Sequence, residues 1–221
     1  MNALYKPSLV LFFLLFTASA NAALMISISD GTQTATFDDT DGNGIVGFDS
    51  DFMPGIWDSS NWSSVSAKGF GSSWYDSPYA DILHLNSIDG SSSTGGTLTI
   101  MLSETDLTKS IAPYSGDFGG VSGGNIQFQT YVDVSNTIFG LDTLLHDTSV
   151  DNKGGFSGTF GGDLALGDIT YSKTIVATIQ HDGRRVSSFD YEIVVPEPTS
   201  LALIGIGLLC AGFATQRRRC K

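Results

Sequence analysis

Asp39-Thr40-Asp41-Gly42-Asn43-Gly44 places side-chain oxygens at alternate positions and a glycine at the sixth, the spacing with which calcium loops wrap an ion. The pattern then weakens. Position 12 is Ser50 instead of a bidentate glutamate, Asp49 and Asp51 stand on either side of it, and neither flank has the apolar helical period of an EF-hand. Asp-Gly and Asn-Gly also favour positive φ, so the same residues read as a hairpin turn between Thr36-Phe37 and Ile45-Val46. A Ca2+ site using Asp39, Asp41, Asn43, Asp49 and Asp51 and a plain turn are the two readings, the turn being the simpler.

All three tryptophans, Trp57, Trp62 and Trp74, fall within residues 56–79 together with Phe70, Tyr75 and Tyr79, and Asp58, Asn61 and Asp76 are interleaved with them. Flat rings beside hydrogen-bonding side chains suit the face of a sugar, which makes Trp57, Trp62, Trp74, Tyr75 and Tyr79 a candidate glycan face. The same rings bury large areas, and at least two of the three tryptophans are expected in the core. For catalysis the inventory is thin. His84 alternates with Leu83 and Leu85 and should face solvent, His146 sits beside Asp147 in an expected loop, and His181 opens an expected turn. Neither a Gly-x-Ser-x-Gly elbow nor a His-Glu-x-x-His pair is present, so the chain is expected not to be an enzyme.

These residues must be held by strands. Leu24/Ile26/Ile28, Leu98/Ile100/Leu102, Ile126/Phe128/Val132/Val134, Ile175/Ala177/Ile179 and Phe189/Tyr191/Ile193 each fall on one face of a period-two pattern. Turn clusters such as Asp89-Gly90-Ser91 and His181-Asp182-Gly183 separate such runs. With weaker runs near residues 32–37, 45–48, 62–70, 82–88 and 157–166, the expectation is an all-β protein, an antiparallel β-sandwich of about ten strands over residues 23–195.

Charge and cysteine narrow the function. Of the 11 basic residues, Lys6, Arg217, Arg218, Arg219 and Lys221 lie outside 23–195, and of the 23 acidic residues only Glu197 does, which leaves 6 against 22 and a net charge of −16. That field disfavours nucleic acid as a partner. Both cysteines, Cys210 and Cys220, also lie outside the body, so packing and not disulfides must stabilise it.

The ends carry the remaining signals. Lys6 precedes an apolar run, Leu9 to Phe16, and then Ala18-Ser19-Ala20 and Ala20-Asn21-Ala22, which reads as a signal peptide over residues 1–22. At the other end Val195, Pro196, Glu197 and Pro198 should be stiff and extended, because proline removes an N–H and biases its predecessor away from helix. Residues 199–215 carry no charge and as a helix would measure about 25 Å, enough for a transmembrane helix if Arg217, Arg218 and Arg219 snorkel on the cytoplasmic side.

This order of motif, apolar helix and arginines resembles the PEP-CTERM sorting signal of Gram-negative bacteria, here occupying residues 196–221. The resemblance implies an exosortase as processing partner, an inner-membrane-anchored precursor, cleavage at or next to Pro196-Glu197-Pro198, and delivery to the cell envelope or extracellular matrix. On that basis the body is expected to be a non-catalytic surface or matrix protein. The alternatives are a carbohydrate-binding module for the exopolysaccharide and a secreted hydrolase.

Overall fold

Alternating burial turns the period-two runs into strands. β1 (Leu24–Ser29) buries Leu24, Ile26 and Ile28 and turns Met25, Ser27 and Ser29 outward. The same logic builds β2 (Thr34–Asp38), β3 (Ile45–Asp49), β4 (Trp62–Phe70), β5 (Ala80–Ser92), β6 (Gly96–Leu107), β8 (Asn125–Asp133) and β12 (Arg185–Pro196), whereas β11 (Tyr171–His181) is buried on both faces from Tyr171 to Ala177. The computed structural model describes residues 22–53, 56–57, 59–75, 80–108, 113–151, 153–164, 166 and 169–196. The signal peptide apart from Ala22, Tyr79, Glu197, Pro198, the helix of residues 199–215 and Arg217, Arg218 and Arg219 lie outside these residues.

With β7 (Tyr114–Ser122), β9 (Thr143–Val150) and β10 (Gly154–Gly162), twelve strands among the described residues form two antiparallel six-stranded sheets, ordered β2-β1-β6-β11-β8-β9 and β10-β7-β12-β5-β4-β3. The expected sandwich is present, with two strands more than the pattern indicates. One is β7 (Tyr114–Ser122), whose glycines leave no alternation to read. Its Gly116 is required, because a Cβ there would overlap the Phe160 ring and the Glu192 carbonyl oxygen. The other is the edge strand β9 (Thr143–Val150), which has no fully buried position and packs only Leu145 and Val150 against the core. His146 thus sits in a strand and not in a loop. β10 (Gly154–Gly162) pairs with β7 along its whole length.

Between the sheets Ile26, Ile100, Leu102, Phe128 and Ile175 face Val65, Leu85, Phe189, Tyr191 and Ile193, all at most 2% exposed. Phe128 meets Phe189 edge-on at 5.0 Å and stacks on Tyr191 at 5.1 Å, which ties the sheets together near their centre. Residues 39–44 do not form a hairpin. β2 pairs with β1 and β3 with β4, so these residues carry the chain from one sheet to the other.

Two of the three tryptophans belong to the core. Trp62 is 2% exposed and packs on the His181 ring at 4.9 Å, while Trp57 is 7% exposed and meets the Phe48 ring edge-on. Replacing Trp62 by alanine should cost about 3–5 kcal/mol in denaturant unfolding, since neighbours in both sheets cannot collapse into so large a space. A loss below about 1 kcal/mol would contradict this placement.

Candidate functional site

The outer face of the second sheet carries an aromatic and hydrogen-bonding array beside a single helical turn, α1 (Ser72–Tyr75). Two interactions hold that turn. From the interior, buried Glu104 accepts hydrogen bonds from Ser72 N at 2.8 Å and Ser72 Oγ at 2.9 Å. From the side, Gly71 N donates to the Gly44 carbonyl at 2.9 Å. Gly44 has φ +79°, and a Cβ there would collide with the Trp74 backbone, so a glycine is needed for the crossover to dock on α1.

α1 presents Trp74, 49% exposed, with its ring 5.6 Å from Phe70 at the end of β4. Phe70 is directly opposite His84 in the β4–β5 ladder, and His84 is opposite Glu192 in the β5–β12 ladder. The Tyr75 hydroxyl lies 2.7 Å from His84 Nδ1, and Glu192 Oε2 lies 3.4 Å from the same nitrogen. Asn86 Nδ2 lies 3.3 Å from His84 Nε2. Burial together with the Glu192 charge pushes the Tyr75 phenol up to about 12, and burial also raises the Glu192 carboxyl, with His84 opposing. The phenol therefore stays protonated at neutral pH. Such an array can stack on a flat apolar surface and exchange several hydrogen bonds beside it.

The residues singled out from the sequence are only partly brought together. Trp74 and Tyr75 share this face, whereas Trp57 and Trp62 lie in the core and do not contribute to it. Phe70, His84, Asn86 and Glu192 join it from three strands, a grouping set by cross-strand register and invisible to local spacing. Asp39 and Asp41 accept hydrogen bonds from the amides of their own loop: Asn43 N to Asp39 Oδ1 and to Asp41 Oδ1, each 3.2 Å, and Gly44 N to Asp39 Oδ2, 2.7 Å. The Asn43 side-chain oxygen accepts from Ile45 N at 2.9 Å. Asp49 ends β3, four strand steps or about 13 Å beyond Ile45, and with Asp51 forms a separate turn. The five calcium candidates are thus not gathered at one point. Among the described residues no group of three or more His, Cys, Asp or Glu is poised around a metal position. Val195 and Pro196 close β12, paired with Asp81 and Ala80.

The other two histidines serve the interior. His146 stacks on Phe160 at 3.9 Å and bonds the Tyr191 hydroxyl at 2.9 Å. His181 is the last residue of β11 before the 182–184 turn, only 3% exposed, between Ser92 Oγ and Ser187 Oγ, each 2.8 Å away. Ser92 donates to the Gly183 carbonyl at 2.6 Å, and both serines are at most 2% exposed, so this Ser–His contact is closed to a substrate.

Burial holds His181 below its ordinary 6.5, with Asp182 opposing and Arg185 and Lys153 assisting. A depressed histidine contributes stability that is complete above about 6.5 and is lost as pH falls through its folded value, because the unfolded chain takes up the proton first. The gap in Tm between wild type and His181→Gln should therefore narrow on going from about pH 7.5 to about pH 5. A gap independent of pH would contradict the buried neutral imidazole.

Residues 194–219 match the family model described as the PEP-CTERM protein-sorting motif. No curated protein matches the chain. Among solved structures the chain is similar to TmCBM61 in complex with β-1,4-galactotriose, at 12% identity over 62% of this chain and 90% of that one, with a TM-score of 0.34. It is also similar to a GH31 α-xylosidase from Xanthomonas citri, at 12% identity over 83% of this chain and 17% of that one, TM-score 0.28. A third similarity is to infectious bursal disease virus Gx strain, at 15% identity over 80% of this chain and 51% of that one, TM-score 0.30. Similarities at this level identify no ligand. The chain carries a PEP-CTERM sorting motif, which implies an exported protein processed by exosortase.

Proposed function

We propose that the β-sandwich is the non-catalytic body of a cell-surface or extracellular-matrix protein, released or transferred there when exosortase acts on the C-terminal motif. The observation that carries this reading is the continuity between body and motif. The motif match starts at Val194, inside β12, where Val194 pairs with Ile82 on one side and Ser115 on the other. Pro196 has no N–H to extend the ladder, which suits the end of a strand. Only residues 197–200 lie between the strand and the apolar run, a reach of at most about 14 Å, so the folded body of the precursor stands against the membrane face. A body of net charge −16 is repelled by anionic headgroups, and cutting this short tether would favour its departure.

The experiment replaces Pro196, Glu197 and Pro198 by alanine in the native host. The precursor should then stay in the membrane fraction; a variant that reaches the medium or matrix as wild type does would defeat the proposal.

A second reading, that the body binds exopolysaccharide, is favoured by one observation: Trp74 is exposed beside Phe70 and Tyr75, with His84, Asn86 and Glu192 within the same array. Trp74→Ala should change stability by less than about 1 kcal/mol, as exposed substitutions do, yet weaken retention on the host polysaccharide. Undiminished retention would sink this reading and leave the body as a structural component.

A further inference from the structure

Behind α1 the sheets enclose polar groups that the outer face does not use. Glu104 on β6, Lys173 and Tyr171 on β11 and Asp81 on β5 are between 0% and 5% exposed. Lys173 and Glu104 stand directly opposite each other in the β6–β11 ladder, and Asp81 arrives from the facing sheet. Lys173 Nζ donates to the Asp81 backbone carbonyl at 3.0 Å, which places the amine beside Asp81. The Tyr171 hydroxyl donates to Asp81 Oδ2 at 3.4 Å, orienting that carboxyl group. Leu107, Val132, Tyr171 and Val195 pack into an apolar cluster at this end of the sandwich.

An amine and two carboxyl groups are therefore buried together between the sheets. Burial raises the Glu104 carboxyl above its ordinary range, Lys173 and Ser72 oppose this, and Asp81 adds to it. In so buried a setting ionic forms lose their hydration, and proton transfer from ammonium to carboxylate gives the neutral amine and acid that can react with each other.

We propose that Lys173 and Asp81 condense into an intramolecular isopeptide bond, with Glu104 carrying the proton, so that β11 of one sheet is covalently joined to β5 of the other. The Nζ lone pair attacks the Asp81 carboxyl carbon while Glu104 gives its proton to the carboxyl oxygen. The C–O bond then breaks, one water leaves, and Glu104 takes up the proton released by the nitrogen. Glu104 ends as it began, and no oxidant or co-reactant is required. The link would supply the covalent brace that a cysteine-free body lacks, and it falls beside Val195, the register partner of Asp81 where the sorting motif begins.

The test is the intact mass of the folded full-length chain after denaturation, followed by peptide mapping. Wild type should weigh one water less than its processed sequence and give a branched peptide joining the Lys173 and Asp81 segments. Asp81→Asn should form the same amide with loss of ammonia instead of water. Glu104→Gln should keep its full mass; closure of this variant at the wild-type rate would remove Glu104 from the step. A folded wild-type chain at full mass, with Lys173 and Asp81 in separate linear peptides, would overturn the proposal and leave a buried ion pair.

Discussion

β12 must be paired on both edges while its last residues already belong to the sorting motif. It lies between β7 and β5, and without it the second sheet divides into β10-β7 on one side and β5-β4-β3 on the other. Phe189, Tyr191 and Ile193, which face the first sheet across the core, belong to the same strand. The body therefore cannot close until the C-terminal end of its sequence is in place, and the signal that follows is presented by a completed fold. Processing that removes the chain beyond the motif leaves every core residue of β12 in position.

The interior around this strand combines a large apolar core with a few fully partnered polar groups. Tyr191 shares its hydroxyl with Thr130 and His146, and burial pushes its phenol well above the ordinary range. His181 is held between two serines, and Glu104 caps α1 from within. Each such group would be costly if unpaired, so together they favour one register of the two sheets over its neighbours. Glu104 also links interior to surface: the carboxyl group opposite Lys173 holds the turn on which Trp74 and Tyr75 stand.

Much of this was legible in the sequence wherever one strand face is apolar. Leu98, Ile100 and Leu102, or Phe189, Tyr191 and Ile193, announce both strand and orientation, and enough such runs define a sandwich. β7 and β9 were not legible, because glycine removes the side chains that carry the pattern in one, and in the other the core-facing Leu145 and Val150 are too far apart to make a period-two run. Residues 39–44 have the composition of a tight turn in either topology, so nothing local distinguishes a hairpin from a crossover between sheets. The outer array was half visible. His84 between two leucines indicates the outward face, but its meeting with Phe70 and Glu192 depends on which strands pair. The buried Lys173 gives no warning either, since a lysine among Ser172, Thr174 and Ile175 looks like an ordinary exposed position.

The body is acidic and its described surface carries an aromatic platform, while the sorting motif lies at the C-terminal end of the chain. Because the motif match begins inside β12, the body keeps its paired strands and core when only the chain beyond Pro196 is removed. The most direct test is the C-terminal residue of the protein recovered from outside the cell, determined by mass mapping of its terminal peptide. The account predicts an end at or next to Pro196-Glu197-Pro198, with residues 199–221 absent. A surface form that still ends in Arg217, Arg218, Arg219, Cys220 and Lys221 would contradict it.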